Sequence, residues 1–85
     1  MERYEIVLRR SVLKDLVGIP KKDVRRIMRT IGSLADNPRP AGCVQLSGQE
    51  KYRIRQGAYR ILYSIEDYRL IVYVVKVGHR KDVYR

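Results

Sequence analysis

The strongest constraint lies in the second half of the chain. Three runs dense in Ile, Val, Leu and Tyr, namely Lys51 to Gln56, Tyr59 to Glu66 and Arg69 to Val77, are separated there only by two short turns. Connections this short cannot carry a crossover, so the runs pair as antiparallel neighbours in a meander. Gln56-Gly57-Ala58-Tyr59 puts glycine at the first central position of a two-residue type II′ hairpin, and Asp67-Tyr68 supplies the second turn. A tip at Gly57-Ala58 sets the register: Arg55 opposes Arg60, Arg53 opposes Leu62, and opposed residues share a face. Arg53, Arg55 and Arg60 then project from one side of the sheet, and Ile54, Ile61, Tyr63 and Ile65 from the other. Carried through the second turn, the alternation adds Leu70, Val72 and Val74 to the apolar face and Tyr73 and Val75 to the arginine face.

The arginine face breaks a local rule. Like charges directly opposite one another in a sheet repel, so Arg55 against Arg60 costs stability unless something anionic lies between them. An antiparallel sheet often has one solvated polar side, but three charges of one sign with no interleaved acid point to a site.

The first half of the chain must cover the apolar face. Residues 3 to 9 are β-prone and read as a first strand. Ser11 is a helix N-cap, after which Val12, Leu13, Leu16 and Val17 form a stripe that Gly18 ends. Pro20 fits the first turn of a second helix, where Val24, Ile27, Met28, Ile31, Leu34 and Ala35 recur at three- and four-residue steps. Its other face carries Lys21, Lys22, Arg25, Arg26 and Arg29, so the helices read as an antiparallel pair with one apolar and one basic side. Asn37 to Gly42 is a connection, Cys43 a small loop or core residue, and Tyr52, Tyr59 and Tyr63 are structural aromatics with wet hydroxyls. The expected fold is α+β: an N-terminal strand, the helix pair and a three-stranded antiparallel meander, forming one sheet with the helices packed on one face, as a single domain over residues 1–85.

Such a small core is stabilised by any partner that binds only the folded form. Lys and Arg number 19 against 9 Asp and Glu, a net charge of +10 that favours nucleic acid over an anionic membrane or an acidic protein. The charges are interleaved with apolar residues, unlike those of a disordered polybasic anchor. No apolar run approaches the roughly 18 residues of a membrane span, and MERYEIVLRR has no apolar signal core. The single cysteine, Cys43, has neither a disulfide partner nor zinc-spaced ligands around it. A soluble, cytoplasmic protein without a membrane partner, metal or other cofactor is expected.

KYRIRQGAYRILYSI followed by VYVVKVGHRKDVY resembles the RelE branch of the RelE/ParE toxin superfamily of toxin–antitoxin systems, and the order of elements along the whole chain is similar. The resemblance implies an endoribonuclease that enters the ribosomal A site and cuts messenger RNA, held inactive by a cognate RelB-like antitoxin. It matches the family's two basic strand residues to Arg53 and Arg55, the arginine of its Tyr-Arg strand to Arg60, the arginine after Val-Gly-basic to Arg80, and the tail tyrosine to Tyr84. The first two positions are often lysine in RelE and arginine here, which argues against a lysine base.

Cleavage through the 2′-hydroxyl requires one proton removed, one donated, and extra charge on the phosphate oxygens stabilised. Arginines suit the last task, binding non-bridging oxygens with planar forks and keeping their protons near pH 7. Arg53, Arg55, Arg60 and Arg80 are thus charge stabilisers, and proton transfer falls to Tyr84 or His79, with the resemblance favouring Tyr84. His79 after Gly78 also reads as a capping or packing residue. Tyr73 can stack on a base, and Lys51, Lys81 and the basic helix face can grip RNA backbone. No paired carboxylates have the spacing of a two-metal nuclease, so a metal-independent reaction is expected. The alternatives are a ParE-like inhibitor of DNA gyrase and a non-catalytic RNA-binding module.

Overall fold

The structure is a computed structural model of the chain and describes residues 3–46, 50–79 and 81. Its elements are β1 (Glu5–Leu8), α1 (Arg10–Val17), α2 (Lys21–Ser33), β2 (Val44–Gln45), β3 (Lys51–Gln56), β4 (Tyr59–Glu66) and β5 (Ile71–His79). They form one five-stranded sheet in the order β1-β5-β4-β3-β2, antiparallel except where β1 runs parallel to β5. The α+β architecture and the meander are as the sequence implies. The sheet gains β2, which follows the Asn37–Gly42 connection in a stretch to which the sequence reading assigns no element, and pairs Val44 with Arg53 and Gln45 with Tyr52.

The β3–β4 hairpin follows the expected register, with Arg55 opposite Arg60 and Arg53 opposite Leu62. Gly57 takes φ 60°, the left-handed value the first central position of a II′ turn demands and a side chain resists. The β4–β5 connection departs from expectation. Residues 67–70 form a longer turn closed by Leu70 N–H donating to the Asp67 carbonyl at 3.2 Å, and Leu70 has φ 55°. Leu70 therefore belongs to the turn instead of the strand, and β5 starts at Ile71.

A second departure lies within β5. Tyr63 pairs with Val74 but Leu62 pairs with Lys76, so Val75 is the extra residue of a β-bulge and alternation reverses beyond it. The reversal turns Val77 into the core, 2% exposed, and Lys76 onto the arginine face. Strict alternation would have buried the Lys76 ammonium among valines, which the cost of desolvating a charge forbids.

Both helices lie on the apolar face, α1 over β5 and α2 over β3 and β4. Val12, Ile27, Ile31 and Leu34 pack there against Ile61, Tyr63, Val72, Val74 and Val77. Ser11 is not the cap: α1 begins one residue earlier, with Arg9 at the N-cap position and no side-chain cap. Pro20 stands just before α2, extended at ψ 143°, and the helix ends at Ser33, short of Ala35. Gly18 does end α1.

Far from the hairpin tip, Arg39 ties three segments together. Its Nη1 and Nη2 donate to Asp67 Oδ1 and Oδ2 at 3.1 and 2.9 Å, and its Nε donates to the Tyr52 hydroxyl at 3.0 Å. The Tyr4 hydroxyl donates to the same Asp67 at 2.8 Å. Tyr63, expected to have a wet hydroxyl, is fully buried and donates to the Pro38 carbonyl at 2.8 Å, and burial pushes its phenol pKa up. Tyr52 is likewise buried and stacks on Tyr63 with centroids 5.7 Å apart.

The hydrogen bonds from Arg39, then that from Tyr4, hold the Asp67 carboxyl below its usual pKa. A carboxylate depressed on folding adds stability above its unfolded pKa of about 4, and loses that contribution as pH falls through the lower folded value. Thermal melts from pH 7 to pH 2 are therefore expected to show Asp67→Asn less stable than wild type at pH 7 and equal to it at the acid end. Equal melting temperatures at pH 7 would refute the clamp.

Candidate active site on the arginine face

Three consecutive rows across β3, β4 and β5 define the uncovered face: Lys51–Ser64–Tyr73, Arg53–Leu62–Lys76 and Arg55–Arg60–Gly78. These nine positions hold five cations and no carboxylate. Arg53 and Arg60 are half-buried and Arg55 and Lys51 exposed. Among the described residues, no carboxylate lies within ion-pair distance of Arg53, Arg55 or Lys51. Leu62 is only 8% exposed yet lies outside the main core, as expected where the aliphatic stems of Arg53 and Lys76 cover it and their charged ends reach solvent.

The structure brings Arg53, Arg55, Arg60, Lys51 and Tyr73 onto this one face. It adds Lys76, which sequence reading missed. The signal was present in the sequence, since a lysine between Val75 and Val77 cannot follow their alternation into a core. Lys76 sits at the sheet margin, because β1 pairs with β5 only as far as Val74, and its Nζ reaches Asp15 Oδ1 of α1 at 3.7 Å.

His79 is not brought to the arginines. By register it pairs with Tyr59 on the helix-covered side, its ring edge-on to that of Tyr59 with centroids 5.8 Å apart. Its Nδ1 accepts a hydrogen bond from the Lys81 backbone N–H at 3.2 Å, a capping contact. Lys81 is exposed. Arg80 and Tyr84 lie outside the described residues. Lys21, Lys22, Arg25, Arg26 and Arg29 are all exposed on α2, with no carboxylate within ion-pair distance among the described residues. Because α2 covers the opposite side of the sheet, they form a second basic surface, separate from the arginine face.

Chemically, the arginine face can hold and neutralise a phosphodiester. Its forked donors come from two neighbouring strands at the separation of directly paired residues, about 5 Å between Cα atoms. The described residues contain no group of three or more His, Cys, Asp or Glu that could hold a metal ion. No described helix is long and apolar enough to cross a membrane.

Residues 6–84 match the family model of the ParE toxin of the type II toxin–antitoxin system parDE. Among curated proteins, toxin RelG of Mycobacterium tuberculosis is 29% identical over 86 residues, covering 96% of this chain and 97% of that protein. Among solved structures, the RelE of the archaeal RelE–RelB complex from Pyrococcus horikoshii superposes with TM-score 0.83 at 27% identity, over 94% of this chain and 98% of that one. The toxin–antitoxin complex RelBE2 of Mycobacterium tuberculosis gives TM-score 0.81 at 25% identity, over 92% of this chain and 99% of that one.

Opposed cations should carry a measurable cost. Arg55→Thr is expected to raise folding stability by about 0.2 to 1 kcal/mol at low ionic strength, with the gain shrinking as salt screens the repulsion. Denaturant titrations at two salt concentrations measure it, and a destabilised variant at low salt would show that the pair is not repulsive.

Proposed function

The chain belongs to the ParE-toxin family of type II toxin–antitoxin systems, and on that premise we propose that it is a ribosome-dependent endoribonuclease that cuts messenger RNA and so stops translation. The observation that carries this reading is the carboxylate-free block of five cations, with Arg55 directly opposite Arg60. An uncovered face of that kind suits a site where negative charge builds up. The reaction is attack of a ribose 2′-hydroxyl on the adjacent phosphorus, without a metal ion. Arg53, Arg55 and Arg60 hold the non-bridging oxygens and stabilise the extra charge of the transition state, joined by Arg80 of the following segment.

Arginines keep their protons, so the base comes from elsewhere. Tyr84 fits that role better than His79, whose Nδ1 is engaged by the Lys81 backbone and whose ring packs on Tyr59. A phenol among several guanidinium groups deprotonates more readily than a free one. Tyr73 offers a stacking surface for an unpaired base, and Lys51 and Lys81 further backbone contacts. In this reading the toxin works in the cytoplasm, and a RelB-like antitoxin silences it. The complexes seen for the Pyrococcus and Mycobacterium proteins support such a partner.

Purified protein added to programmed ribosomes is expected to cleave the message, and a chelator at a level that leaves the ribosomes intact should not abolish cleavage. Arg60→Ala should slow cleavage by about 100-fold, the scale of losing one transition-state charge stabiliser, and Tyr84→Phe should relieve growth arrest. Full toxicity in both variants would sink the site assignment.

The second basic surface fits ribosomal RNA backbone, which binds by charge and without sequence choice. Arg25→Glu with Arg26→Glu should weaken ribosome binding and lower the salt slope by about one unit per lost phosphate contact. Affinity unchanged at several ionic strengths would remove that role.

The matched family description is that of ParE, which favours one second reading, inhibition of DNA gyrase without cutting nucleic acid. Mapping messenger RNA 5′ ends alongside a supercoiling assay separates the two: new transcript ends with normal supercoiling support the nuclease, and the reverse supports the gyrase inhibitor.

A further inference from the structure

The row Arg55–Arg60–Gly78 ends in a glycine, and beyond it lies the margin of the sheet, since among the described residues no strand pairs with β5 past Val74 on the side away from β4. Glycine weakens a strand and often marks a place where a ligand comes close to the backbone. Here the glycine also lines a cleft of about 330 Å³ at this margin, which residues of α1, β4 and β5 border. Lys76 and Gly78 border the cleft, and Asp15, Ile19, Tyr59 and His79 also line it.

The lining suits a flat heteroaromatic group. Tyr59 and His79 present two rings at an interplanar angle of 80°, so a plane stacked on one meets the other edge-on. Asp15 contributes a carboxylate whose Oδ2 accepts the Val77 backbone N–H at 3.1 Å while Oδ1 stands 3.7 Å from Lys76 Nζ. The side chain of Asp15 is 17% exposed, so it retains acceptor capacity toward the cleft. An acidic peptide would be repelled by this carboxylate. A nucleotide avoids the conflict, with its phosphate outside on the cations and its neutral base inside.

We infer that this cleft is a nucleobase subsite: it takes the base of the nucleotide next to the phosphate held on the Arg55–Arg60–Gly78 row, and it selects a base bearing an amino group over uracil. The inference rests on the nuclease reading for the placement of that phosphate. Gly78 lies one strand from Arg60, about 5 Å away between Cα atoms, and with no side chain there a ribose can pass round the unpaired edge of β5 from the arginine face toward the rings. The selectivity comes from Asp15. A carboxylate accepts a hydrogen bond from the amino group of cytosine, whereas the corresponding position of uracil is a carbonyl oxygen that it repels.

The test titrates CMP and UMP into the full chain and follows backbone amide shifts by NMR. CMP is expected to bind about fivefold more tightly than UMP, within the range of one good base contact, and to shift Ile19, Gly78 and His79. Asp15→Asn is expected to abolish or reverse that preference, since the carboxamide still accepts from Val77 N–H but offers its own amino group to uracil. Equal affinities for the two nucleotides, or shifts confined to Arg53 and Arg55, overturn the subsite. The wild-type titration decides the question even if the variant does not fold. Cleavage on programmed ribosomes is scored separately. Absent cleavage with the CMP preference intact fells the nuclease reading and leaves the subsite, and present cleavage without the preference does the reverse.

Discussion

The burial of alternate residues of β4 beneath the helices is the constraint on which the rest depends. Ile61, Tyr63 and Ile65 enter the core from one side of this central strand, and because side chains alternate with period two, a slip of one residue would turn all three into water. Hydrophobic burial thereby enforces the register that sets Arg60 against Arg55. The two guanidinium groups are held opposite each other in spite of their repulsion, by an apolar energy far larger than that cost. The sheet is strong on one side so that it can be unfavourable on the other.

The opposite end of the sheet has a different design. There the charges are matched: Arg39 and Asp67 share a two-pronged pair, tyrosine hydroxyls satisfy the remaining groups, and the proline-containing connection is pinned by its own carbonyl. One end is neutralised and fixed, while the face leading to the hairpin tip is left with an excess of positive charge. Charge matched inside the molecule holds the fold at one end, and at the other the three rows concentrate five cations on one face.

The hairpin and the arginine face were legible in the sequence because turn chemistry and strand alternation agree over residues 51–66, so one tip determined every partner. What escaped was non-local or irregular. β2 is two residues long and has no pattern of its own. The turn at residues 67–70 took in Leu70, whose apolar side chain argues for a strand and whose φ is set by the turn. The bulge at Val75 reversed the faces of Lys76, Val77 and His79 together, so one unrecognised residue moved a lysine onto the arginine face and a histidine away from it. Ser11 had the right chemistry for a cap, but the chain enters α1 directly from β1, and the helix starts before it.

The parallel pairing of β1 with β5 has a consequence for assembly. Glu5 to Leu8 find their partners only in Ile71 to Val74, so the first strand must wait for one made almost a whole chain later. Both helices and the β3–β4 hairpin close through short connections, but the sheet's other margin depends on a slow, long-range closure. The β3–β4 hairpin can therefore set Arg55 against Arg60 before β1 finds β5. The arginine rows thus form from local contacts, and the parallel margin is the last part of the sheet to close.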